Sequence, residues 1–166
     1  MTMKNNVRSA ILLVGFLTIV GQVMAHTGAM GIVKKRMDAM SDLGDHAKAV
    51  GNMLKGKAPF ELPAVEEAAQ AFVAHGTDMP SLFPDTPKSR ESTATEALPA
   101  IWNNWEEFVS IADKFTKDSQ ALLAIATRLG DEERSVDEQS RAVRRAFFTA
   151  AKNCSACHER FRLDKD

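Results

Sequence analysis

Cys154-Ser155-Ala156-Cys157-His158 places the only two cysteines of the chain three residues apart, with a histidine attached to the second. On a helix, thiols at that spacing lie on neighbouring faces, where they can add to the two vinyl groups on one haem edge. His158 stands four residues after Cys154 and projects from the same face, so it can reach the iron as proximal ligand. C-x-x-C-H is the attachment sequence of c-type haem, and it predicts one covalent haem c held by Cys154, Cys157 and His158. Three other chemistries compete. Structural zinc needs four ligands, and no second Cys/His pair lies nearby. A redox dithiol belongs at a helix start beside a βαβ pattern, and no strand-rich segment precedes this motif. A disulfide across three residues is strained.

The motif lies in the last of four amphipathic segments that the periodicity predicts. The first runs from about Gly28 to Lys55, with Ile32, Val33, Arg36, Met40, Leu43, Ala47, Val50 and Leu54 facing inward, and Gly56 and Pro59 ending it. The second begins near Pro63, a good first-turn residue, and reaches Gly76 through Val65, Ala69, Phe72 and Val73. The third spans Pro99 to about Leu129 with Trp102, Trp105, Phe108, Ala112, Phe115, Leu122 and Ala126 on one face. The fourth opens at Ser135, with Glu138 completing a capping box, and runs to about Phe161. No long period-two stretch occurs. The expected fold is an all-α antiparallel four-helix bundle. Its one long connection, Thr77–Leu98, is rich in Pro, Ser and Thr, of a length that covers sites or moves.

Residues 1–25 read as a cleaved secretory signal peptide. Lys4 and Arg8 form a basic start, Ala10 to Val20 an apolar run, and Val23-Met24-Ala25 a small-residue cleavage site. The run is too short for a comfortable membrane span, so no stable membrane anchor is expected after cleavage. The mature domain is then residues 26–166, in the periplasm, where haem is attached to such motifs. Removing Lys4 and Arg8 takes the formal charge from −1 to −3. No basic field suggests nucleic acid or anionic lipid. Two cysteines exclude a disulfide-scaffold protein.

Two residues of the first segment are out of place in a core. Arg36 falls on its inward stripe, and a buried cation needs a counter-charge. A haem propionate would supply one; the alternative is an arginine that snorkels to the bundle edge and pairs with a surface acid. Met40 lies on the same face, and a thioether beside histidine is a known iron ligand pair. A methionine on an apolar stripe is ordinarily core, so Met40 and Met37 both stay open on the residues alone.

The chain resembles the class II c-type cytochromes, which are cytochrome c′ and the low-spin cytochromes c-556. The resemblance rests on Lys55-Gly56-Lys57-Ala58-Pro59-Phe60, Met79-Pro80-Ser81-Leu82-Phe83, Leu98-Pro99-Ala100-Ile101-Trp102 and Cys154-Ser155-Ala156-Cys157-His158-Glu159-Arg160-Phe161-Arg162. These stand in the family's order across the mature chain. The resemblance implies that Arg36 is the arginine beside the haem propionates and that Met40 lies over the distal face of the iron. In cytochrome c′ that position is apolar and the iron five-coordinate; in the c-556 branch it is methionine and the iron is six-coordinate and low-spin. It further implies that Arg162 packs near the proximal histidine and that Phe83, Trp102 and Phe161 contact the haem. Thr86–Ala97 matches only loosely, which leaves its cover over the haem edge open.

The expected function is a periplasmic monohaem electron carrier with His158 and Met40 as axial ligands. It would serve unidentified redox partner proteins as a monomer or homodimer, and no catalytic group marks it as an enzyme. The rival is a high-spin protein binding nitric oxide or carbon monoxide at an open distal site; a third reading, a colourless thiol-bearing bundle, needs no haem. His26, His46 and His75 read as solvent histidines, and Arg141, Arg144 and Arg145 as a solvated helix face.

Overall fold

The computed structural model describes residues 29–163, so the signal peptide, its cleavage point and His26 lie outside the described residues. Among the described residues there are six α-helical segments, one 3₁₀ turn and no strand. Four long helices form the bundle: α1 (Gly31–Leu54), α2 (Leu62–Asp78), α5 (Trp105–Gly130) and α6 (Val136–Phe161). Two single turns, α3 (Pro87–Arg90) and α4 (Ala100–Asn103), lie in the connection between α2 and α5. None of the described helices is long and apolar enough to cross a membrane.

The helix ends are set by local chemistry. Gly56 adopts φ +70° just beyond α1, a left-handed conformation that only glycine enters without strain. Its N–H donates to Met53 O at 3.0 Å and that of Lys57 to Asn52 O at 2.9 Å, which closes the last carbonyls of the helix. The Arg144 guanidinium of α6 donates to another of them, Leu54 O, so this arginine ties two helices together and is not merely solvated. Ser135 and Glu138 form the expected capping box at the start of α6.

The third expected helix is not continuous. Asn104 leaves helical geometry (φ −129°, ψ 49°) and its side chain bonds back to Ala100 O. The break separates α4 from α5 and changes the facing of the first residue of α5. Trp102 is half-buried, while Trp105, expected on the same inward face, is 38% exposed. From Phe108 onward the inward stripe is as the periodicity predicts, through Ala112, Phe115, Leu122 and Ala126.

α1 packs on α2, α2 on α5 and α5 on α6, while α1 and α6 touch only slightly. The core is one apolar cluster that includes Val50, Val65, Phe72, Phe115, Leu122, Val143 and Phe147. Burying each such side chain stabilises the fold by about 1.5–3 kcal/mol. At the α2–α5 crossing a Cβ on Gly76 would lie 2.5 Å from Thr116 Oγ1 and 3.0 Å from Phe115 Cδ1; only a hydrogen fits there.

The long connection is built rather than loose. Met79–Leu82 make a 3₁₀ turn, Phe83 and Ser89 are buried, and the end of the segment is strapped to the C-terminus. Leu98 N–H donates to Phe161 O at 2.9 Å, and Leu163 N–H to Glu96 O at 2.8 Å.

Candidate haem site

Cys154, Cys157 and His158 occupy the last turns of α6. Both cysteines are free thiols, and both are half-buried against the main apolar cluster. Burial pushes both thiols up, Cys157 to about 11 with the Cys154 sulfur adding to the effect. They stay protonated at neutral pH, unlike a redox-active dithiol, whose nucleophile is a low-pKa thiolate. Among the described residues no group of three metal-ligating side chains gathers, so a zinc site of protein ligands alone has no support.

His158 lies on the exposed side of α6. Its Nδ1 faces Arg162 Nη1 at 3.4 Å. Guanidinium has only donors, so this contact is a hydrogen bond only when the ring proton sits on Nε2; with the proton on Nδ1, as ligation through Nε2 requires, the two groups simply pack. Glu96 holds Arg162 from the other side, with Oε2 3.4 Å from Nε. Desolvation first and Arg162 second pull the histidine below its ordinary pKa, against Glu96. Both effects favour the neutral imidazole, the form that can ligate a metal.

Arg36 on α1 is only 4% exposed. Its Nε and Nη2 both donate to Leu82 O at 3.1 Å, Nη2 donates to Ser89 Oγ at 2.6 Å and Nη1 to Thr95 Oγ1 at 2.9 Å. The guanidinium carbon lies 4.1 Å over the Phe83 ring and 5.9 Å from that of Trp102, whose Nε1–H donates to Phe83 O. All these partners are neutral. Burial alone lowers the Arg36 pKa well below its ordinary value, to about 10. The snorkelling alternative is therefore wrong: the side chain is buried, and its hydrogen bonds go to two backbone carbonyls and two hydroxyls rather than to a surface acid.

Met40, one helical turn after Arg36, is half-buried and packs against the same cluster as Cys154, Cys157 and Trp102. Met37 is half-buried too but is not part of that cluster's packing shell. Phe161 is buried and meets Phe108 edge to face at 5.6 Å; Phe108 in turn meets Phe83 at 4.8 Å. Arg36 thus lies against Phe83 and Trp102, Phe83 reaches Phe161 through Phe108, and Met40 and both cysteines border the same apolar cluster.

Sequence reasoning missed Ser89, Thr95 and Glu96, which orient the two arginines. They lie in Thr86–Ala97, a polar stretch with no periodicity to mark which side chains turn inward. It also misread His75, whose Nε2 is 2.7 Å from Asp42 Oδ2 and links α2 to α1; His46 Nε2 lies 3.8 Å from the other oxygen of that carboxylate.

These residues fit a covalently attached haem. Two thiols that burial keeps protonated and an imidazole held below its ordinary pKa share one helix end, Arg36 is buried among neutral acceptors, and α1 and α6 touch only slightly. The class of molecule so defined is a c-type cytochrome built on a four-helix bundle.

Comparison with known proteins agrees. The sequence profile of the family described as Cytochrome C' matches residues 31–162. A cytochrome c-556 of Agrobacterium tumefaciens (strain II Chrys) is 32% identical over 81% of this chain and 99% of its own length. A cytochrome c' of Rhodopseudomonas palustris is 28% identical over 89% and 95%. Among solved structures, cytochrome c' from Rhodopseudomonas palustris aligns with TM-score 0.69 and 23% identity over 83% of this chain and 100% of that one. An NMR-validated model of oxidised cytochrome c556 from the same organism aligns with TM-score 0.64 and 27% identity over 81% and 98%. The chain belongs to the cytochrome c′ family. It is a monohaem c-type cytochrome with one covalent haem c, from a family of electron-transfer or ligand-binding haem proteins rather than enzymes.

Proposed function

We propose that this protein is a periplasmic electron carrier whose haem is low-spin, with His158 and Met40 as its axial ligands. The observation that carries the reading is Met40 itself: a thioether on α1, one turn beyond the buried Arg36, packed into the shell that also holds both cysteines. The c-556 names of several relatives support it. When bound, haem supplies a one-electron ferric/ferrous couple. In this reading the residues of the chain hold and shield it. Cys154 and Cys157 fix it through thioether bonds, the neutral His158 with its proton on Nδ1 offers Nε2, and Arg162, held by Glu96, packs beside that ring. Arg36 meets a propionate, and Phe83, Trp102 and Phe161 exclude water. Two protein ligands leave little geometry to change on reduction, which suits transfer of an electron more than capture of a gas.

Residues 1–25 act as the export signal in this proposal. Their loss is checked by the intact mass of the periplasmic protein, which should begin at His26. The mature protein is a monomer or homodimer; one cytochrome c' that shares this fold is described with a ligand-controlled dimer dissociation.

Substituting Met40→Ala tests the ligation. The purified wild-type protein should give sharp low-spin bands, a weak far-red sulfur-to-iron band and no prompt change with carbon monoxide. The variant should turn high-spin and bind carbon monoxide at once. A wild-type protein that is already high-spin, with Met40→Ala leaving its spectrum and gas binding unchanged, would make Met40 a core residue and gas binding the function.

A further inference from the structure

We propose that Trp105 and the carboxylates around it form the surface on which a one-electron redox protein with a basic face docks and exchanges its electron. The proposal deepens the electron-transfer reading and rests on it.

The break at Asn104 puts Trp105 at the surface, 38% exposed, instead of in the core. It is not an isolated surface aromatic. Its ring stacks on that of Phe108, with centroids 5.4 Å apart and planes at 30°. Phe108 is only 1% exposed and reaches Phe161 at 5.6 Å, three residues beyond His158 on the helix that carries the thiols. A second contact leads from Phe108 to Phe83, which lies under the Arg36 guanidinium. Ring-to-ring packing therefore runs without a gap from solvent to two residues beside the haem site.

The rim of this face is acidic. Trp105 lines two shallow depressions. Glu106 and Asp113 line one of them and Glu106 and Glu107 the other, and no lysine or arginine lines either. Glu107 is neutralised by Arg160. Glu106 and Asp113 are exposed, and no ion pair among the described residues engages them. A partly exposed tryptophan beside carboxylates that no ion pair engages among the described residues complements lysine or arginine side chains, which can pair with the acids and lie over the indole ring. Tryptophan at the centre of a polar rim is also the composition of binding hot spots. The chain as a whole is only slightly acidic, so the complementarity is local.

In the step proposed, the ferrous iron of this protein is oxidised to ferric and the ferric haem of the partner is reduced to ferrous. One electron moves, and no proton or bond is exchanged.

The test uses the full mature holoprotein, reduced, in stopped flow at low and high ionic strength. Two oxidants are compared: ferric mitochondrial cytochrome c, a lysine-rich protein, and ferricyanide, a small anion. Variants E106Q/D113N and W105A alter the face, and D45N/E67Q removes two exposed carboxylates on α1 and α2 as a control. At low salt E106Q/D113N should slow the protein oxidant by at least about threefold, within the range that electrostatic steering commands, and the difference should vanish at high salt. W105A should slow it at both salts, because contact and not steering is lost. Ferricyanide should not be slowed by either variant. Equal slowing by D45N/E67Q would overturn the proposal by reducing the effect to net charge. Loss of dimer in W105A would overturn it too, since the face would then belong to a second copy. A wild-type protein that ferricyanide itself cannot oxidise rapidly would refute the electron-transfer reading rather than this surface alone.

Discussion

Arg36→Met is the most informative single substitution, because the structure gives opposite terms for its outcome. Burial holds the Arg36 pKa at about 10, well below its ordinary value, so removing the charge relieves a desolvation penalty of about 3 kcal/mol, at roughly 1.4 kcal/mol for each pKa unit. The same change leaves the carbonyls of Leu82 and Ser89 without this donor, at about 1–3 kcal/mol each. With only neutral partners in the holoprotein, the two terms largely offset, leaving anything from about 1 kcal/mol gained to about 3 kcal/mol lost. If a haem propionate pairs with Arg36, the substitution also strands a buried carboxylate, which adds about 3–5 kcal/mol. The expected loss is therefore at least about 2 kcal/mol, read from guanidinium chloride unfolding of the ferric protein by haem absorbance and far-ultraviolet circular dichroism. A second readout separates charge from packing. Loss of a cation beside the haem disfavours the ferrous state, so the reduction potential should fall, and Arg36→Lys should restore much of it. An unfolding difference near zero with an unchanged potential would refute the propionate assignment.

Packing and charge each give one further outcome. Gly76→Ala should destabilise the bundle by about 1–3 kcal/mol, since the new Cβ meets Thr116 Oγ1 at 2.5 Å and Thr116 Cα at 3.3 Å; an unchanged thermal midpoint would mean that α2 and α5 are not so closely apposed. The Lys114 hydrogen bond foremost, opposed by desolvation and helped by Asn153, holds the Asp118 carboxyl below its ordinary 3.8. A carboxyl held low in the folded state contributes stability above its unfolded pKa and loses it as pH falls through the folded one. Urea titrations should therefore show wild type and Asp118→Asn converging as pH drops below about 4, whereas a constant gap would assign the difference to packing.

Much of the site was legible as short-range pattern. The C-x-x-C-H spacing named the cofactor, the capping box at Ser135 opened the helix that bears it, and Gly56 closed the helix that bears Arg36 and Met40. The break at Asn104 was passed over because the apolar stripe runs on across it, although Asn103-Asn104 followed by Glu106 and Glu107 is an N-cap pattern that marks a new helix start. Trp105 was misplaced for that reason. His75 was misjudged because its partner, Asp42, lies on another helix.

Sequence alone determined the four amphipathic helices, the covalent chemistry of Cys154 and Cys157, and the presence of an arginine where a core should be. Those depend on residues within a few turns of one another, where helical periodicity fixes which side chains share a face. Only the tertiary structure decided that Arg36 is buried among neutral acceptors drawn from Leu82, Ser89 and Thr95, that Glu96 holds Arg162 beside His158, and that Trp105 faces water. Each of these depends on where an irregular segment packs. Such a segment has no period to read, and its side chains take their direction from the elements it packs against.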